Sequence, residues 1–347
     1  MAATLTPPAE TRQPSETAAL STAAPVSLKE LRILVEAELG TFREHFREAM
    51  RARGALLDRV TQYVLRRKGK EIRPTLVLLA AEMCGGVREA SYTAAALVEL
   101  LHTATLVHDD VVDEAETRRG VLTIHKVWMN KVSVLFGDYL LSRGLLLALD
   151  RREYALLHTM SDAVRRMSEG ELLQIETARK LDITEATYFQ IIGDKTGSLI
   201  AACLAAGAES AGADEETAER VRDLGEKLGL AFQIRDDLFD YDAADTGKPT
   251  GLDLQDRKMT LPLIAALDAA SPAEAKRVRR IVRKRKKSRA EVRDVLAFVE
   301  RSGGAAAARA RMEALAAEAA EALAGFPPSE ARDALAGLCA YVVERKR

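Results

Sequence analysis

Proline is missing from the long middle section of this chain. Four of the ten prolines lie within the first 25 residues, and after Pro74 none occurs until Pro249, an interval of 174 residues (75 to 248). Because a proline costs about 3 kcal/mol inside a helix but is tolerated in loops, its absence indicates long helices with short connections. Alanine, leucine, glutamate and arginine dominate the interval, and it lacks the alternation of strands. The sequence therefore predicts an all-α fold of about ten or more helices, without a sheet.

Other absences narrow the function. The formal net charge is −1, so no global field favours nucleic acid as a partner. Cys84, Cys203 and Cys339 stand alone, without CxxC spacing, which is typical of idle thiols in a reducing compartment. We find no apolar run that approaches the roughly 20 residues needed to span a bilayer, and the N-terminus has no apolar signal-peptide core. We therefore expect a cytoplasmic protein.

The first residues differ in composition from the rest. Residues 1–26 are rich in alanine, threonine and proline and have no apolar period, so we predict a disordered N-terminal tail. Ser27-Leu28-Lys29-Glu30 then has the capping-box pattern that precedes an amphipathic helix. We expect one folded domain from residue 27 to residue 347.

Three carboxylates, Asp109, Asp110 and Asp113, close a mostly apolar helical stretch. On a helix, positions i and i+4 lie one turn apart on one face, so Asp109 and Asp113 can point the same way. Like charges repel there, which favours a cation site over an ordinary helix end. Taken alone, however, this DDxxD pattern is equally compatible with a solvated acidic turn.

The same pattern recurs at Asp236, Asp237 and Asp240, again at the end of an apolar helix. Glycine-marked basic stretches follow both clusters: Arg118-Arg119-Gly120 after the first, and Lys248 to Gly251 with Lys258 after the second. If the two helix ends that carry these clusters face each other, they offer six carboxylates around one cavity. Mg²⁺ prefers oxygen ligands and often binds through a few carboxylates together with substrate phosphates. The arginines and lysines would neutralise the remaining charge of a diphosphate. The recurrence therefore favours a magnesium–diphosphate site.

Two further basic elements are ambiguous by themselves. Lys70 and Arg73 lie just before a predicted helix, whose N-terminus favours anions, although an ordinary basic loop would look the same. Gly193-Asp194-Lys195-Thr196-Gly197 interrupts an apolar helical run, and a lysine there can simply snorkel to the surface.

In this order, the four elements resemble those of the trans (head-to-tail) isoprenyl diphosphate synthases, the polyprenyl synthetase family, over nearly all of residues 28–347. The matching motifs are GKxxRP (69–74), HxxxLxHDDxxD with RRG (102–120), KT (195–196), and FQxxDDxxD with GKxxGxD and a later lysine (232–258). One departure is Leu122, where family members commonly have proline. The resemblance implies a single-domain bundle of antiparallel helices around a central cavity, the isoprenoid synthase fold, and a homodimer.

The resemblance also implies a role for each group. Six aspartates would hold three Mg²⁺ ions on the allylic diphosphate, with Asp240 acting either directly or through water: Asp109, Asp110, Asp113, Asp236, Asp237 and Asp240. Cationic side chains would contact the same diphosphate: Arg118, Lys195, Lys248 and Lys258. A second, metal-free set would bind isopentenyl diphosphate: Gly69, Lys70, Arg73, His102 and Arg119. Thr196 and Gln233 would lie beside the reacting carbons, so that they, Lys195, Asp109, Asp113 and Asp236 are the expected catalytic residues.

Small residues precede the first cluster, and in this family that position limits product length. Leu101, Ala104 and Thr105 include no aromatic, and at ~1.5 Å per residue Ala104 lies about 7 Å beneath Asp109. We therefore expect a long product, C30 to C50, made from an allylic primer such as farnesyl diphosphate and used for a quinone side chain. Phe136, deeper in the bundle, is a candidate for the residue that stops growth. Residues 102–113 resemble the octaprenyl-type synthases most closely.

Three alternatives remain at this stage. A short-chain (geranylgeranyl or farnesyl) synthase would share every motif. A terpene cyclase would share the fold and the first cluster, but it usually has an NSE/DTE-type second motif. A catalytically silent subunit would be expected to lose a cluster or the basic set. Separately, ten basic residues between Lys276 and Arg289 form either a solvated face or a weak contact with anionic membranes, which would make the protein membrane-peripheral.

Overall fold

The computed structural model describes residues 23–66, 69–118, 120–180, 183–241 and 251–345. The helices of the N-terminal half are α1 (Leu28–Leu34), α2 (Glu36–Ala49), α3 (Ala55–Leu65), α4 (Ile72–Met83), α5 (Glu89–Val112), α6 (Ile124–Asp150) and α7 (Tyr154–Lys180). Those of the C-terminal half are α8 (Glu185–Ile192), α9 (Ser198–Ser210), α10 (Glu215–Leu238), α11 (Leu252–Gln255), α12 (Leu261–Ala269), α13 (Pro272–Arg283), α14 (Arg289–Arg301), α15 (Gly304–Leu323) and α16 (Glu330–Glu344). The all-α prediction is confirmed.

Helix α9 lies at the centre of the bundle. It packs against α4, α7 and α10, while α10 also packs against α15, and α5 lies along α6. Its sequence explains the position, because small side chains let neighbouring backbones approach closely. A Cβ on Gly207 would lie 2.3 Å from the Val77 carbonyl oxygen of α4, and one on Gly225 of α10 would lie 2.7 Å from the Ala201 Cα. The small residues therefore let α4 and α10 pack closely against α9.

The first described helix, α1, begins where the capping-box pattern predicts. The Ser27 hydroxyl accepts the Glu30 backbone N–H, and the Ser27 backbone N–H donates to the Glu30 carboxylate at 2.7 Å. Just before it, the Val26 N–H donates to the Gly337 carbonyl oxygen of α16 at 2.9 Å, which joins the two ends of the described chain. Residues 1–22, most of the predicted tail, lie outside the described residues.

Two expectations need correction. A two-residue hairpin is present, with β1 (Thr117–Arg118) antiparallel to β2 (Val121–Leu122), so the chain is not entirely free of strands. In addition, three helical stretches are long and apolar enough to cross a membrane by length and composition, Glu89–Val112, Ile124–Asp150 and Glu185–Ser210. In the first and third, most of the apolar window is buried inside the molecule, whereas in Ile124–Asp150 only 33% is.

Candidate active site

The first aspartate cluster lies at the C-terminal end of α5. Asp113 is the C-cap, and its backbone N–H donates to the Asp109 carbonyl at 2.8 Å, so that the three carboxylates occupy the last helical turn. Asp110 is buried, and its Oδ1 accepts a hydrogen bond of 2.7 Å from the Arg118 Nε on β1. The hairpin thus positions one predicted diphosphate-binding arginine directly against the middle aspartate.

The other two aspartates of this cluster face further negative charge. Desolvation of the carboxyl group, followed by the charges of Glu171 and Asp113, raises the pKa of Asp109. Lys195 and Arg118 oppose that shift without reversing it. Among the described residues, neither Asp109 nor Asp113 has a side-chain hydrogen bond or ion pair with a cation. Accumulated negative charge without a paired cation is the arrangement expected of a site that binds a multivalent cation.

A π-helical turn, Gly193–Gly197, presents two neighbouring residues to this site. Lys195 Nζ lies 2.5 Å from a Glu171 carboxylate oxygen and donates to Gln174 Oε1 at 3.3 Å, both on α7. The Thr196 hydroxyl donates to Gln233 Oε1 on α10 at 3.0 Å. Single π-helical turns inside α-helices are rare and occur often at functional sites. The interruption of the apolar run that the sequence shows is thus a widened helical turn, and Lys195 forms an ion pair with Glu171 there.

The second cluster, at the end of α10, is held by the protein itself. The Asp236 carboxylate accepts a hydrogen bond from Arg345, close to the C-terminus, and the Arg345 guanidinium lies 4.3 Å from the centre of the Phe232 ring. Asp237 is 7% exposed. Its two oxygens accept the Tyr188 hydroxyl at 2.6 Å and the Gln233 Nε2 at 2.9 Å. Burial raises the Asp237 pKa to about 6, against the opposing effect of these two donors.

Asp240 has a structural partner as well. Its Oδ1 and Oδ2 accept the backbone N–H groups of Leu252 and Asp253, at 2.9 and 3.0 Å, at the start of α11. The same stretch carries Lys258, whose Nζ lies 3.3 Å from Asp253 Oδ1. Asp240 therefore orders the chain that follows residues 242–250, which include the predicted Lys248 and lie outside the described residues.

The predicted isopentenyl diphosphate residues are divided between two helices. Gly69 and Lys70 lie in the loop before α4, Lys70 is exposed, and Arg73 is in the first turn of α4. His102 is buried in the middle of α5. Glu71, the N-cap of α4, has a left-handed backbone (φ 51°), and its carboxylate binds Arg43 and Arg32 at 2.8 and 2.9 Å, which anchors the loop. The fifth predicted member, Arg119, lies outside the described residues.

The predicted product-length residues line the contact between α5 and α6. Leu101 and Ala104 are buried, and the hydroxyl of half-buried Thr105 donates to the His102 carbonyl at 2.9 Å. Phe136 of α6, also buried, belongs to the same apolar cluster as Ala104. The structure thus brings the small residue and the candidate stop residue together.

Sequence patterns did not reveal several residues that hold this site. Glu171 and Gln174 on α7 bind Lys195, and Tyr188 binds Asp237. Arg345 is 109 positions from Asp236, its partner. Only Glu171 offered a sequence clue, as an acidic residue in the helix before the interrupted apolar run. Tertiary contacts of this kind leave no local periodicity.

Over the described residues, no three acidic, histidine or cysteine side chains converge closely enough to hold a metal ion unaided. This geometry still fits Mg²⁺, which binds through one or two carboxylates and completes its coordination with water and substrate phosphates. Asp109 and Asp113, one turn apart without a described cation partner, provide that kind of partial oxygen site.

Comparison with known proteins identifies the family. The model of the family described as polyprenyl synthetase matches residues 54–299. The chain belongs to the polyprenyl synthetase family. The octaprenyl diphosphate synthase of Escherichia coli is 37% identical over 294 residues, covering 84% of this chain and 91% of the relative. This polyprenyl synthetase family member is therefore an enzyme, a prenyltransferase.

Solved structures agree with the all-α fold. A decaprenyl diphosphate synthase from Rhodobacter capsulatus superposes with a TM-score of 0.86 at 36% identity, over 92% of this chain and 100% of that one. A polyprenyl synthase from Caulobacter crescentus, complexed with calcium and isoprenyl diphosphate, has a TM-score of 0.81 at 36% identity, over 92% and 98% of the two chains.

Proposed function

We propose that this prenyltransferase condenses isopentenyl diphosphate head-to-tail with an allylic diphosphate, with farnesyl diphosphate as the primer. One observation carries this proposal: polar contacts lead through the π-helical turn from Glu171, an acidic neighbour of the first aspartate cluster, to Asp237 of the second. Glu171, whose charge acts on Asp109, binds Lys195 at 2.5 Å. The next residue, Thr196, binds Gln233, which binds Asp237 at 2.9 Å. Both clusters thus converge on a lysine and a hydroxyl.

The reaction places three demands on these residues. Breaking the allylic C–O bond leaves charge on the diphosphate, and fixed cations aimed at that charge lower the barrier. Lys195, Arg118 and Lys258 supply such cations. Bound Mg²⁺ would add Lewis-acid stabilisation of the leaving oxygen. The apolar helices exclude water from the allylic cation, and the alkene of isopentenyl diphosphate then attacks it. The attack forms the new C–C bond and leaves a cation on the isopentenyl unit. Loss of a proton from the carbon next to that cation, with the departed diphosphate as the base, forms the new double bond.

We propose three Mg²⁺ ions for the site and direct contacts from three of the six predicted aspartates. Asp109 and Asp113 have no described cation partner, and Asp236 becomes available when Arg345 moves aside. Asp110, Asp237 and Asp240 are each hydrogen-bonded within the protein, which favours a supporting role. This distribution suits Mg²⁺, which retains several waters and binds through few carboxylates.

We propose a long product, C30 to C50, for a quinone side chain, because Ala104 leaves the space beneath the first cluster without an aromatic barrier. Phe136 is buried in the same apolar cluster as Ala104, and we propose it as the residue that stops the growing chain. Ala104→Phe should therefore shorten the product, and Phe136→Ala should lengthen it. Unchanged length distributions in both variants would show that this cluster does not line the path of the chain.

The direct test is incubation of the purified protein with Mg²⁺, labelled isopentenyl diphosphate and farnesyl diphosphate. Chromatography of the dephosphorylated products should give a ladder that ends between C30 and C50. A ladder that stops at C20 would keep the reaction and identify a short-chain synthase. No elongation with any allylic primer would contradict the proposed activity.

We further propose a homodimer formed through α6. This helix exposes a row of apolar side chains that monomeric proteins rarely leave in water: Val127, Val134, Leu135, Leu146 and Leu149. Leu135, 58% exposed, lies in the middle of the row. Leu135→Glu should produce monomers in sedimentation equilibrium, whereas Leu56→Glu, an exposed leucine on α3, should not.

We also propose a cytoplasmic enzyme with a weak contact to anionic membranes. Eight of the ten basic residues between 276 and 289 are exposed, and among the described residues two of those eight form ion pairs, Arg277 with Asp294 and Lys284 with Glu291. Juxtamembrane basic residues contribute about 1 kcal/mol each to binding an anionic surface. Sedimentation with vesicles should depend on their anionic lipid content and decline in Arg280→Glu/Arg283→Glu. Equal binding to neutral vesicles would contradict this contact.

A further inference from the structure

One arginine ties the π-helical turn to a neighbouring helix. Arg166 on α7 donates from Nε to Asp194 Oδ1 at 2.8 Å, and from its two terminal nitrogens to both carboxylate oxygens of Glu226 on α10, at 2.6 and 3.2 Å. Asp194 immediately precedes Lys195. We propose that Arg166 is a positioning residue that holds this turn, so that Lys195 and Thr196 face the substrates. The inference rests on the proposed function, which assigns those two residues to the reaction.

A π-helical turn needs such support because it contains one residue more than an α-helical turn. One residue corresponds to a rotation of about 100° around the helix axis. If the turn became α-helical, the side chains before it and those after it would be rotated relative to each other around the helix axis. Lys195 faces Glu171 and Thr196 faces Gln233 in the widened turn, so relaxation would separate at least one of these pairs.

The neighbouring helices α7 and α10 approach the turn closely at glycines, which have no side chain to hold it. A Cβ on Gly170 of α7 would lie 2.9 Å from the Asp194 Cβ and 3.0 Å from the Lys195 backbone nitrogen. On the other side, a Cβ on Gly229 of α10 would lie 2.8 Å from the Gly197 Cα. Because glycines of α7 and α10 make these close contacts, we infer that hydrogen bonds and ion pairs hold the turn in its orientation.

The Arg166 bridge is suited to this task. Its guanidinium is largely shielded, with 23% of the side chain exposed, and Asp194 is shielded to a similar degree. The planar guanidinium has a fixed fork of donors, so two of its edges can bind two carboxylates at a set distance. A second restraint is local, since the Ser198 hydroxyl donates to the Asp194 carbonyl at 2.5 Å within the turn. Arg166 itself belongs to α7, and its guanidinium binds both Asp194 of the turn and Glu226 of α10. This one side chain therefore connects the turn to the two helices that pack against it.

A purely structural bridge would look similar, and the chain contains one for comparison. Arg222 of α10 donates to the Thr159 hydroxyl of α7 at 3.0 Å and to Glu209 of α9 at 3.2 Å. It joins the same group of helices, but Glu209 is 12 residues beyond Gly197, or about 18 Å along the helix. Arg165, next to Arg166, is a surface control, because it pairs with Asp162 and Glu169 on its own helix.

The test compares alanine variants of these three arginines in the full-length enzyme. Because misplacement by about 1 Å can cost about 100-fold in rate, Arg166→Ala should lower kcat by roughly 30- to 100-fold at saturating substrates. Its KM for isopentenyl diphosphate should stay within about threefold, since Lys70 and Arg73 belong to α4 and the loop before it. Arg222→Ala should lose a similar amount of thermal stability but keep kcat within about twofold, and Arg165→Ala should change neither.

Two further measurements separate positioning from folding. Millimolar guanidinium should restore part of the elongation activity of Arg166→Ala. It should not raise the activity of Arg222→Ala. Arg166→Lys, which keeps the charge but reaches one carboxylate at a time, should lose about tenfold in kcat and provides the comparison if the alanine variant does not fold.

The inference is wrong if Arg166→Ala, or Arg166→Lys in its place, elongates at the wild-type rate, or if the Arg166 and Arg222 variants lose kcat equally. Both of those results leave the proposed function intact, because the wild-type enzyme is assayed alongside. A wild-type protein that elongates no primer would instead overturn the proposed function and this role together.

Discussion

The two aspartate clusters have the same sequence pattern and opposite surroundings. In the first, Asp109 and Asp113 have no described cation partner, and burial of the carboxyl group, followed by nearby negative charge, raises the pKa of Asp109. In the second, each aspartate already has a partner: Arg345 for Asp236, Tyr188 and Gln233 for Asp237, and two backbone N–H groups for Asp240. The first cluster has two carboxylates open to cations, whereas in the second each carboxylate is already hydrogen-bonded within the protein.

The difference shows that a repeated motif need not have a repeated role. A carboxylate that satisfies its lone pairs with buried donors gains stability from them, and it must break those bonds to coordinate a metal. Asp236, half-buried and bonded to a residue near the C-terminus, can be released most easily. Asp237 and Asp240 hold the surrounding helices and the start of α11.

The largest effect is expected at the first cluster. Asp109→Ala should reduce elongation by about a thousandfold or more, because it removes charge stabilisation of the leaving diphosphate, while helicity measured by circular dichroism stays the same. Asp150→Ala, at the exposed C-terminal end of α6, serves as the control. Near-normal turnover in the Asp109 variant would remove this aspartate from the metal site.

In the second cluster, the buried charge of ionised Asp237 should lower the free energy of unfolding of the metal-free protein. Its pKa of about 6 exceeds the ordinary value of 3.8, so the native protein binds the proton more tightly than the unfolded chain. The stability that the protonated Asp237 contributes to the folded protein is fully present below pH 3.8 and is lost as the pH rises through 6. Asp237→Asn should therefore raise the free energy of unfolding by about 2 kcal/mol at pH 8, and by less than half of that at pH 4.5.

Urea unfolding in EDTA at the two pH values measures this difference, with Asp236→Asn, a half-buried neighbour, as the control. An equal gain at both pH values would mean that burial of charge is not the cause.

Arg345 should compete with metal for Asp236. Arg345→Ala should lower the Mg²⁺ concentration for half-maximal elongation by about threefold, because the carboxylate no longer has to exchange partners. Arg345→Lys, which keeps the charge, should remain near wild type. A higher Mg²⁺ requirement in the alanine variant would instead indicate that Arg345 supports the metal-bound state.

The smallest effect is expected at Asp240. Asparagine keeps one of the two oxygens that accept the backbone N–H groups of Leu252 and Asp253, so Asp240→Asn should retain part of this contact and keep elongation within about threefold. Asp240→Ala, which cannot cap α11, should lose about 1 kcal/mol of stability. A loss of activity in Asp240→Asn as large as that in Asp109→Ala would make the two clusters equivalent and end the comparison.

The sequence predicted the fold and the approximate site because both have local patterns. The proline-free interval identified the helices, and Ser27-Leu28-Lys29-Glu30 marked the first helix start. The different surroundings of the clusters were not predictable, since they depend on Tyr188 and Arg345, which are 49 and 109 residues from their partners. The π-helical turn was recognised only as an interruption, because an i→i+5 turn has no distinct residue pattern.

Locating the metal ions tests the account most directly. Crystals with Mn²⁺ and an unreactive allylic thiodiphosphate should give anomalous density bound by Asp109, Asp113 and Asp236, with Arg345 moved away from Asp236. Asp237 should still bind Tyr188, and Asp240 should still cap α11. Metal bound directly by Asp237 or Asp240, or density absent from the space between the two clusters, would contradict the account.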